Sequence, residues 1–176
     1  MKGINPLIKK AGHFARRAHR GQRRKYRGSP YSHHPFRVAR AVAAHEIGTS
    51  VTVAAALLHD TVEDTAVSHA LIEREFGTEV AQLVRELTKL KQPDVSDRRE
   101  RFQNELTRLE GISREAKIIK LLDRIDNVRE SRHVADGFTQ RYLVESCQLA
   151  ESLGDADPEL KAELLLAIDD CRSVWP

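Results

Sequence analysis

The sequence predicts an all-α fold, a single helical bundle of about nine helices over residues 1–176. Helix-forming Ala, Leu, Glu, Arg and Lys dominate the composition, while Gly and Pro number only 9 and 6 among 176 residues. Apolar side chains make up 40% of the chain and recur at helical rather than alternating spacing. This length and apolar content suffice for one domain with its own hydrophobic core.

The N-terminal region predicts two helices joined by a loop. Apolar residues near helical spacing predict a first helix over about residues 5–19. Residues 20–33 contain Gly, Arg and Pro, which indicate a loop. Pro35 suits the first turn of the second helix because its φ is already helical and its missing N–H is not needed there. That helix is predicted to continue to Ile47.

The middle and C-terminal parts of the chain predict seven further helices. Ser50 is predicted as the N-cap of the most apolar one, which continues to about Asp64. An amphipathic helix then ends at Gly77, and Thr78 is predicted to cap the helix after it. The predicted ranges from Val51 onward are about 51–64, 68–76, 78–90, 96–109, 113–130, 138–153 and 158–172.

Composition also limits where the protein acts. No run approaches the roughly 18–20 apolar residues of a membrane span, and the N-terminus has no apolar signal-peptide core. Cys147 and Cys171 are isolated in the sequence, which is typical of a reducing compartment. We therefore expect a cytoplasmic protein.

Charge is distributed unevenly along the chain. Residues 1–40 hold 12 Lys and Arg and no Asp or Glu. The other 136 residues hold the remaining 17 basic and all 26 acidic side chains, a balance of −9. A basic segment facing an acidic body indicates an anionic ligand, a nucleic acid or docking of one half on the other.

The segment His59-Asp60-Thr-Val-Glu63-Asp64 places four titratable side chains at the end of the most apolar helix. Helical spacing puts His59 on the face of Glu63, and Asp60 on the face of Asp64. Imidazole and carboxylate together suit Mn²⁺, Fe²⁺ or Zn²⁺. A capped helix end is the plain alternative, since a His-Asp pair alone is a common dipeptide.

Two other segments carry residues of the same kind. The turn before Pro35 carries His33 and His34. One of them is expected to supply an imidazole to a metal site, and the alternative is that both are surface histidines of a loop. Asp123 follows an apolar run, and Asn127 lies one turn further on the same face. Metal ligation is one reason for an Asp at the end of a buried stripe, and a salt bridge to its neighbour Arg124 is the other.

The order of these motifs resembles the HD-domain phosphohydrolases, and more narrowly the hydrolase domain of RelA/SpoT-type alarmone enzymes and the stand-alone small alarmone hydrolases. Four segments carry the resemblance over about residues 5–150. They are His19-Arg-Gly-Gln-Arg-Arg-Lys25, Gly28-Ser-Pro-Tyr-Ser-His-His-Pro35, Ala55-Ala-Leu-Leu-His-Asp-Thr-Val-Glu-Asp-Thr65 and Ile119-Lys-Leu-Leu-Asp-Arg-Ile-Asp-Asn-Val-Arg129.

The resemblance implies one divalent metal ion per chain, Mn²⁺, and a set of site residues. His34 is preferred over His33 as a ligand because it directly precedes the Pro35 of the motif. The implied ligands are His34, His59, Asp60 and Asp123. The acidic pair Glu63 and Asp64 is implied to set up the attacking water. The implied substrate-binding residues are Arg24, Lys25, Tyr31, Asn127 and Tyr142.

The resemblance also implies a reaction, hydrolysis of the 3′-pyrophosphate of (p)ppGpp to GDP or GTP and pyrophosphate, as in the stringent response. Arg23, Arg24, Lys25 and Arg27 are then expected to offset the charge of the substrate, unless they form only a solvated basic loop. The alternatives are a related HD phosphohydrolase acting on (p)ppApp, NADPH or another nucleotide, and a non-enzymatic nucleic-acid-binding module, which lacks a recognisable signature. A homodimer is possible, and Trp175 is expected to pack in the core.

Overall fold

The structure, a computed structural model, describes residues 5–25, 28–132, 134 and 137–174. Over those residues the regular structure is ten α-helices and one 3-10 turn, and the one pairing of extended backbone is an isolated antiparallel bridge between Arg23 and Pro30. The all-α prediction is confirmed. None of the described helices combines the length and the apolar character needed to cross a bilayer. Arg27 and Trp175 lie outside the described residues.

The chain divides into two compact units, Met1–Thr88 and Lys89–Pro176, so the assignment of residues 1–176 to one domain stays a prediction. The first unit holds α1 (Pro6–Ala18), α2 (His33–Ala44), α3 (Ser50–Leu58), α4 (Thr61–Asp64), α5 (His69–Phe76) and α6 (Thr78–Leu87). The second unit holds α7 (Arg98–Glu110), α8 (Arg114–Ser131), α9 (Gly137–Leu153), the 3-10 turn (Gly154–Ala156) and α10 (Pro158–Ser173).

Helix α3 is the centre of the first unit. Every residue from Thr52 to Leu58 is buried, and α1, α2 and α6 all pack on this helix. A run of three alanines, Ala54 to Ala56, lets the neighbouring helices approach closely, while Leu57 and Leu58 fill the space between them. Burying such a leucine stabilises the fold by about 1.5–3 kcal/mol. This packing fixes the end of α3, where the His-Asp motif begins.

The predicted helix over residues 51–64 is wrong in one respect, because it ends at Leu58 and a separate single turn, α4, follows. At the C-terminal end of α3, side chains rather than backbone N–H groups bond to the Ala56 and Leu58 carbonyls. The Thr61 hydroxyl donates to the Leu58 carbonyl at 2.7 Å, and His59 Nδ1 lies 2.7 Å from the Ala56 carbonyl oxygen. Such side-chain bonds satisfy the last carbonyls of a helix and let the backbone leave it. The break accounts for ten helices where the sequence predicts about nine.

Two predicted helix caps are also wrong by one residue. Thr49, not Ser50, caps α3, because its hydroxyl accepts from the Thr52 N–H at 3.2 Å while Thr52 Oγ1 accepts from the Thr49 N–H at 2.9 Å. Gly77, not Thr78, caps α6, and its φ of +85° lies in the left-handed region that glycine tolerates.

Helix α8 is the centre of the second unit and packs on α9 and α10, while α7 packs on α9. Its apolar stripe is fully buried, and Asp123 lies within that stripe at 5% exposure. The stripe consists of Ile118, Ile119, Leu121, Leu122, Ile125 and Val128. A carboxylate in this setting needs charged or hydrogen-bonding partners, because burial alone disfavours its charge.

Candidate metal centre and substrate site

Three predicted metal ligands converge in the first unit. His34 lies in the first turn of α2, His59 caps the end of α3, and Asp60 follows directly before α4. Their ligand atoms all lie within 4.8 Å of one another, and the two histidines are buried while Asp60 is half-buried. Two imidazole nitrogens and one carboxylate oxygen form a donor set that suits a divalent transition metal.

Hydrogen bonding determines which nitrogen of His59 faces Asp60. Nδ1 lies 2.7 Å from the Ala56 carbonyl oxygen, which only accepts, so Nδ1 carries the proton in the neutral ring. Nε2 then holds the lone pair and lies 3.1 Å from Asp60 Oδ2. A ring held by a backbone carbonyl at one nitrogen, with the other directed at a cation site, is the usual arrangement of a metal-binding histidine. The residues present therefore fit a divalent metal.

Burial separates the two histidines of the turn. His34 is fully buried, with Nε2 3.6 Å from Asp60 Oδ2, whereas His33 is exposed. The geometry thus supports the preference for His34, because only this imidazole is directed into the group of candidate ligands.

Tyr31 connects this group to the acidic pair. Its hydroxyl lies 2.8 Å from Asp60 Oδ2 and 2.6 Å from Asp64 Oδ2. Burial raises the pKa of Tyr31, and the negative charges of Asp60 and Asp64 raise it further, so the phenol stays protonated. Glu63, the other member of the acidic pair, is exposed.

The basic loop between α1 and α2 carries the predicted phosphate-binding residues. The Arg24 guanidinium lies 5.3 Å from the centre of the Tyr31 ring, and Lys25 is exposed. The loop is held by bonds from the Arg24 N–H to the Ser29 carbonyl at 2.8 Å and from the Arg23 guanidinium to the Gly28 carbonyl at 2.7 Å. A backbone bond to Ser29 therefore holds Arg24 where its guanidinium lies near the Tyr31 ring.

Asp123 is the predicted ligand that belongs to the second unit. Lys120 Nζ lies 3.1 Å from its Oδ2, and the Asn127 side-chain amide donates to its Oδ1 at 2.6 Å. The contacts of Arg124 are a hydrogen bond to the Ser146 hydroxyl at 3.3 Å and a cation–π contact with Tyr142 at 4.5 Å. Asp123 and Asn127, which the sequence places on one face of α8, are thus joined by a direct hydrogen bond.

Tyr142, predicted as a substrate contact, lies half-buried on α9. Its ring stacks on Phe138 with centroids 6.3 Å apart, and the Arg124 guanidinium lies over it. These contacts present an aromatic face next to a cation in the second unit.

Two residues beside the acidic pair were missed from the sequence. His19 stacks on the Tyr31 ring with centroids 4.7 Å apart, and its Nδ1 lies 2.7 Å from Gln22 Oε1. The Gln22 side-chain amide donates to the Asp64 backbone carbonyl at 2.8 Å. Both residues belong to the segment His19–Lys25 that carries the family resemblance. Membership of that segment was the one feature of the sequence that could have indicated them as site residues.

Comparison with known proteins identifies relatives over most of the chain. The HD-domain family matches residues 11–155. Human guanosine-3′,5′-bis(diphosphate) 3′-pyrophosphohydrolase MESH1 is 37% identical over 162 residues, which cover 88% of this chain and 88% of that protein. The enzyme of the same name from Xenopus tropicalis is 37% identical over 84% of this chain and 82% of its own length.

A bacterial protein and a solved structure extend the comparison. GTP pyrophosphokinase rsh of Brucella melitensis is 40% identical over 70% of this chain but only 16% of its own length. The solved structure is described as a metazoan orthologue of SpoT that hydrolyses ppGpp and plays a role in starvation responses. It matches with a TM-score of 0.84 and 28% identity, covering 95% of this chain and 96% of the other.

Proposed function

This chain belongs to the HD-domain family, and from that premise we propose that it hydrolyses the 3′-pyrophosphate of (p)ppGpp to GDP or GTP and pyrophosphate. The observation that carries the proposal is the convergence of His34, His59 and Asp60 within 4.8 Å, with Asp64 connected to them through Tyr31. The reaction named for its human and frog relatives supports the choice of substrate.

The proposed metal is Mn²⁺, held by His34, His59 and Asp60 with Asp123 as the fourth ligand. Bound there, the ion would lower the pKa of a water molecule and polarise a phosphoryl oxygen. Two features support this assignment, the lone pair that the His59–Ala56 bond directs at Asp60 and the carboxylate of Asp123 within a buried stripe. Mixed nitrogen and oxygen donors are compatible with Mn²⁺.

The acidic pair is proposed to orient the attacking water and accept its proton. Asp64 is the better placed of the two, because its carboxylate is fixed by the Tyr31 hydroxyl at 2.6 Å. Both carboxylates are exposed to solvent, from which a nucleotide would enter the site. A base must come within hydrogen-bond reach of the proton that it takes, and a fixed carboxylate needs less reorganisation to do so.

The substrate is proposed to bind through cationic, amide and aromatic side chains. Arg24 and Lys25 neutralise the phosphates, for which a guanidinium also offers a bidentate fork. Asn127 is proposed to contact the sugar side of the nucleotide, and Tyr31 and Tyr142 are proposed as further substrate contacts. The position of the Arg24 guanidinium, 5.3 Å from the centre of the Tyr31 ring, supports this arrangement.

The cytoplasm is the proposed location, supported by the free thiols of Cys147 and Cys171. A homodimer stays a prediction, which the mass of the protein in solution by light scattering tests directly.

The decisive experiment measures pyrophosphate and GDP released from ppGpp by the purified protein, with Mn²⁺ and with a chelator. We expect metal-dependent release of both products in equal amounts. Asp60→Ala is expected to lose both metal and turnover, whereas Glu63→Ala is expected to keep the metal and lose turnover. Unchanged turnover in both variants would contradict the assigned roles.

The same assay separates the alternative substrates. (p)ppApp would also release pyrophosphate but leave an adenine nucleotide, and NADPH would release a single phosphate. Turnover of either one in clear preference to ppGpp would change the proposed substrate but would leave the proposed metal site unaffected.

A further inference from the structure

Four residues of the first unit form a closed circuit of contacts beside the candidate metal ligands. His19 contacts Gln22, Gln22 bonds to Asp64, Asp64 bonds to Tyr31, and Tyr31 stacks on His19. They come from the end of α1, the following loop, the turn before α2 and the end of α4. We call these four residues, His19, Gln22, Tyr31 and Asp64, the positioning circuit.

The hydrogen-bond directions in the circuit are determined. Gln22 Nε2 must donate to the Asp64 carbonyl, so Gln22 Oε1 faces His19 and accepts from its Nδ1–H. The Tyr31 N–H also donates to the Gln22 carbonyl at 3.0 Å. His19 is only 3% exposed, whereas the bond from Gln22 to Asp64 lies at the surface. The Tyr31 ring is thus held by its backbone on one side and by a buried imidazole on its face.

The Tyr31 hydroxyl has one hydrogen but lies within bonding distance of two carboxylates. Asp60 Oδ2 is also the oxygen nearest to His59 and His34, at 3.1 and 3.6 Å. A cation held by those three ligands would offset the negative charge of that oxygen. Asp64 would then be the stronger acceptor for the Tyr31 hydrogen, and a bond from a hydroxyl to a carboxylate is among the stronger hydrogen bonds in proteins.

We infer that Tyr31 is a positioning residue, whose hydroxyl holds the Asp64 carboxylate at a fixed place relative to the metal ligand Asp60. His19 and Gln22 hold Tyr31 and the Asp64 backbone in turn. The inference rests on the proposed function, since Asp64 matters only if it acts on a water or a substrate at this site. It differs from a substrate-contact role for Tyr31, because it assigns the hydroxyl to kcat rather than to KM.

The test compares Tyr31→Phe, Asp64→Asn and the double variant with the wild-type protein. Tyr31→Phe keeps the ring and its stacking and removes only the hydroxyl. We expect kcat for ppGpp at saturating Mn²⁺ to fall by about 10–100-fold, the range found when a partner of a site residue is removed. KM is expected to stay within about twofold of wild type, because the ring and Arg24 are unchanged.

The double variant distinguishes positioning from a general loosening. In the Asp64→Asn background, Tyr31→Phe should lower kcat by no more than about twofold, because the residue through which it acts is already altered. Thr88→Val is the matched control. It removes another buried hydroxyl of the first unit, which donates to the Val84 carbonyl at 2.7 Å, and should leave kcat unchanged.

Two readouts besides turnover accompany the kinetics, the Mn²⁺ dissociation constant by calorimetry and the melting temperature in chelator. Tyr31→Phe is expected to shift the dissociation constant by less than about tenfold, below its effect on kcat. A raised KM with normal kcat, a loss that excess Mn²⁺ restores, or independent effects in the double variant would each overturn the inference. Absence of ppGpp turnover in the wild-type protein would instead refute the proposed function.

Discussion

Asp123→Asn tests whether a ligand from the second unit completes the metal site. The substitution keeps the shape of the side chain and the possibility of a bond to Asn127, but it removes the negative charge. If Asp123 is a ligand, the Mn²⁺ dissociation constant should rise by more than about 100-fold, equivalent to about 2.8 kcal/mol of binding free energy. Turnover of ppGpp should fall with it at limiting metal.

Asp123 also has a purely structural role, because it forms an ion pair with Lys120. The contribution of this ion pair to the free energy of unfolding can be estimated from its burial. The two atoms lie 3.1 Å apart, and the side chains are only 15% and 7% exposed. Removing one partner of a buried pair costs about 3–5 kcal/mol. Because Asn127 still donates to Asp123 at 2.6 Å, we expect Lys120→Met to lower the free energy of unfolding by about 3 kcal/mol, the lower end of that range.

Lys120→Met is therefore the matched control, since it breaks the same ion pair from the other side. At roughly 2–4 °C per kcal/mol for a protein of this size, its melting temperature should fall by about 6–12 °C. Its affinity for Mn²⁺ should be no weaker than that of wild type, because a positive charge beside the ligand is removed. Calorimetry measures the affinity, and thermal unfolding in chelator measures the stability. Wild-type Mn²⁺ affinity and turnover in Asp123→Asn would show that Asp123 is only the partner of Lys120.

Three further predictions concern the helix break, a titrating histidine and the phosphate-binding turn. Thr61→Val removes the donor to the Leu58 carbonyl, so it should cost about 1–3 kcal/mol in urea unfolding and weaken metal binding, whereas Thr61→Ser should keep the metal. Burial and the charge of Arg85 lower the pKa of His69, so the unfolded state binds the proton more readily. The stability contributed at neutral pH is therefore lost as pH falls from about 6.5 through the lowered folded value, and His69→Gln should flatten this part of a metal-free stability profile. Arg24→Ala should raise KM for ppGpp by about tenfold and reduce its dependence on salt, with kcat little changed, and a salt dependence equal to that of wild type would contradict phosphate binding by this residue.

The helical class and the position of the metal motif followed from local patterns. Periodic apolar residues predicted the helices because each helix must bury one face, and the most apolar segment became the central helix α3. The same logic placed Asp123 and Asn127 on one face of α8, four residues apart, where the structure joins them by a hydrogen bond. Within a single helix, sequence spacing is spatial spacing, so such pairs are predictable.

Helix ends were predicted less well. Ser50 and Thr78 are plausible caps by residue type, yet Thr49 and Gly77 hold those places. The break after Leu58 depends on which side chains turn back to the last carbonyls, and His59 and Thr61 do so without any periodic signal.

The sequence by itself determined that the protein is helical and that its motif order is that of the HD-domain family. Both features depend only on residues that are close together along the chain. Only the tertiary structure decided that Tyr31 bonds to Asp60 and Asp64, 29 and 33 residues away, and that Gln22 bonds to a carbonyl 42 residues away. Contacts at such separations arise because α1 and α2 both pack on α3, and no local pattern encodes them. Residue type and motif order were therefore enough to propose the candidate ligands. The residues that contact them, such as Tyr31 and Gln22, were identified only from long-range contacts in the structure.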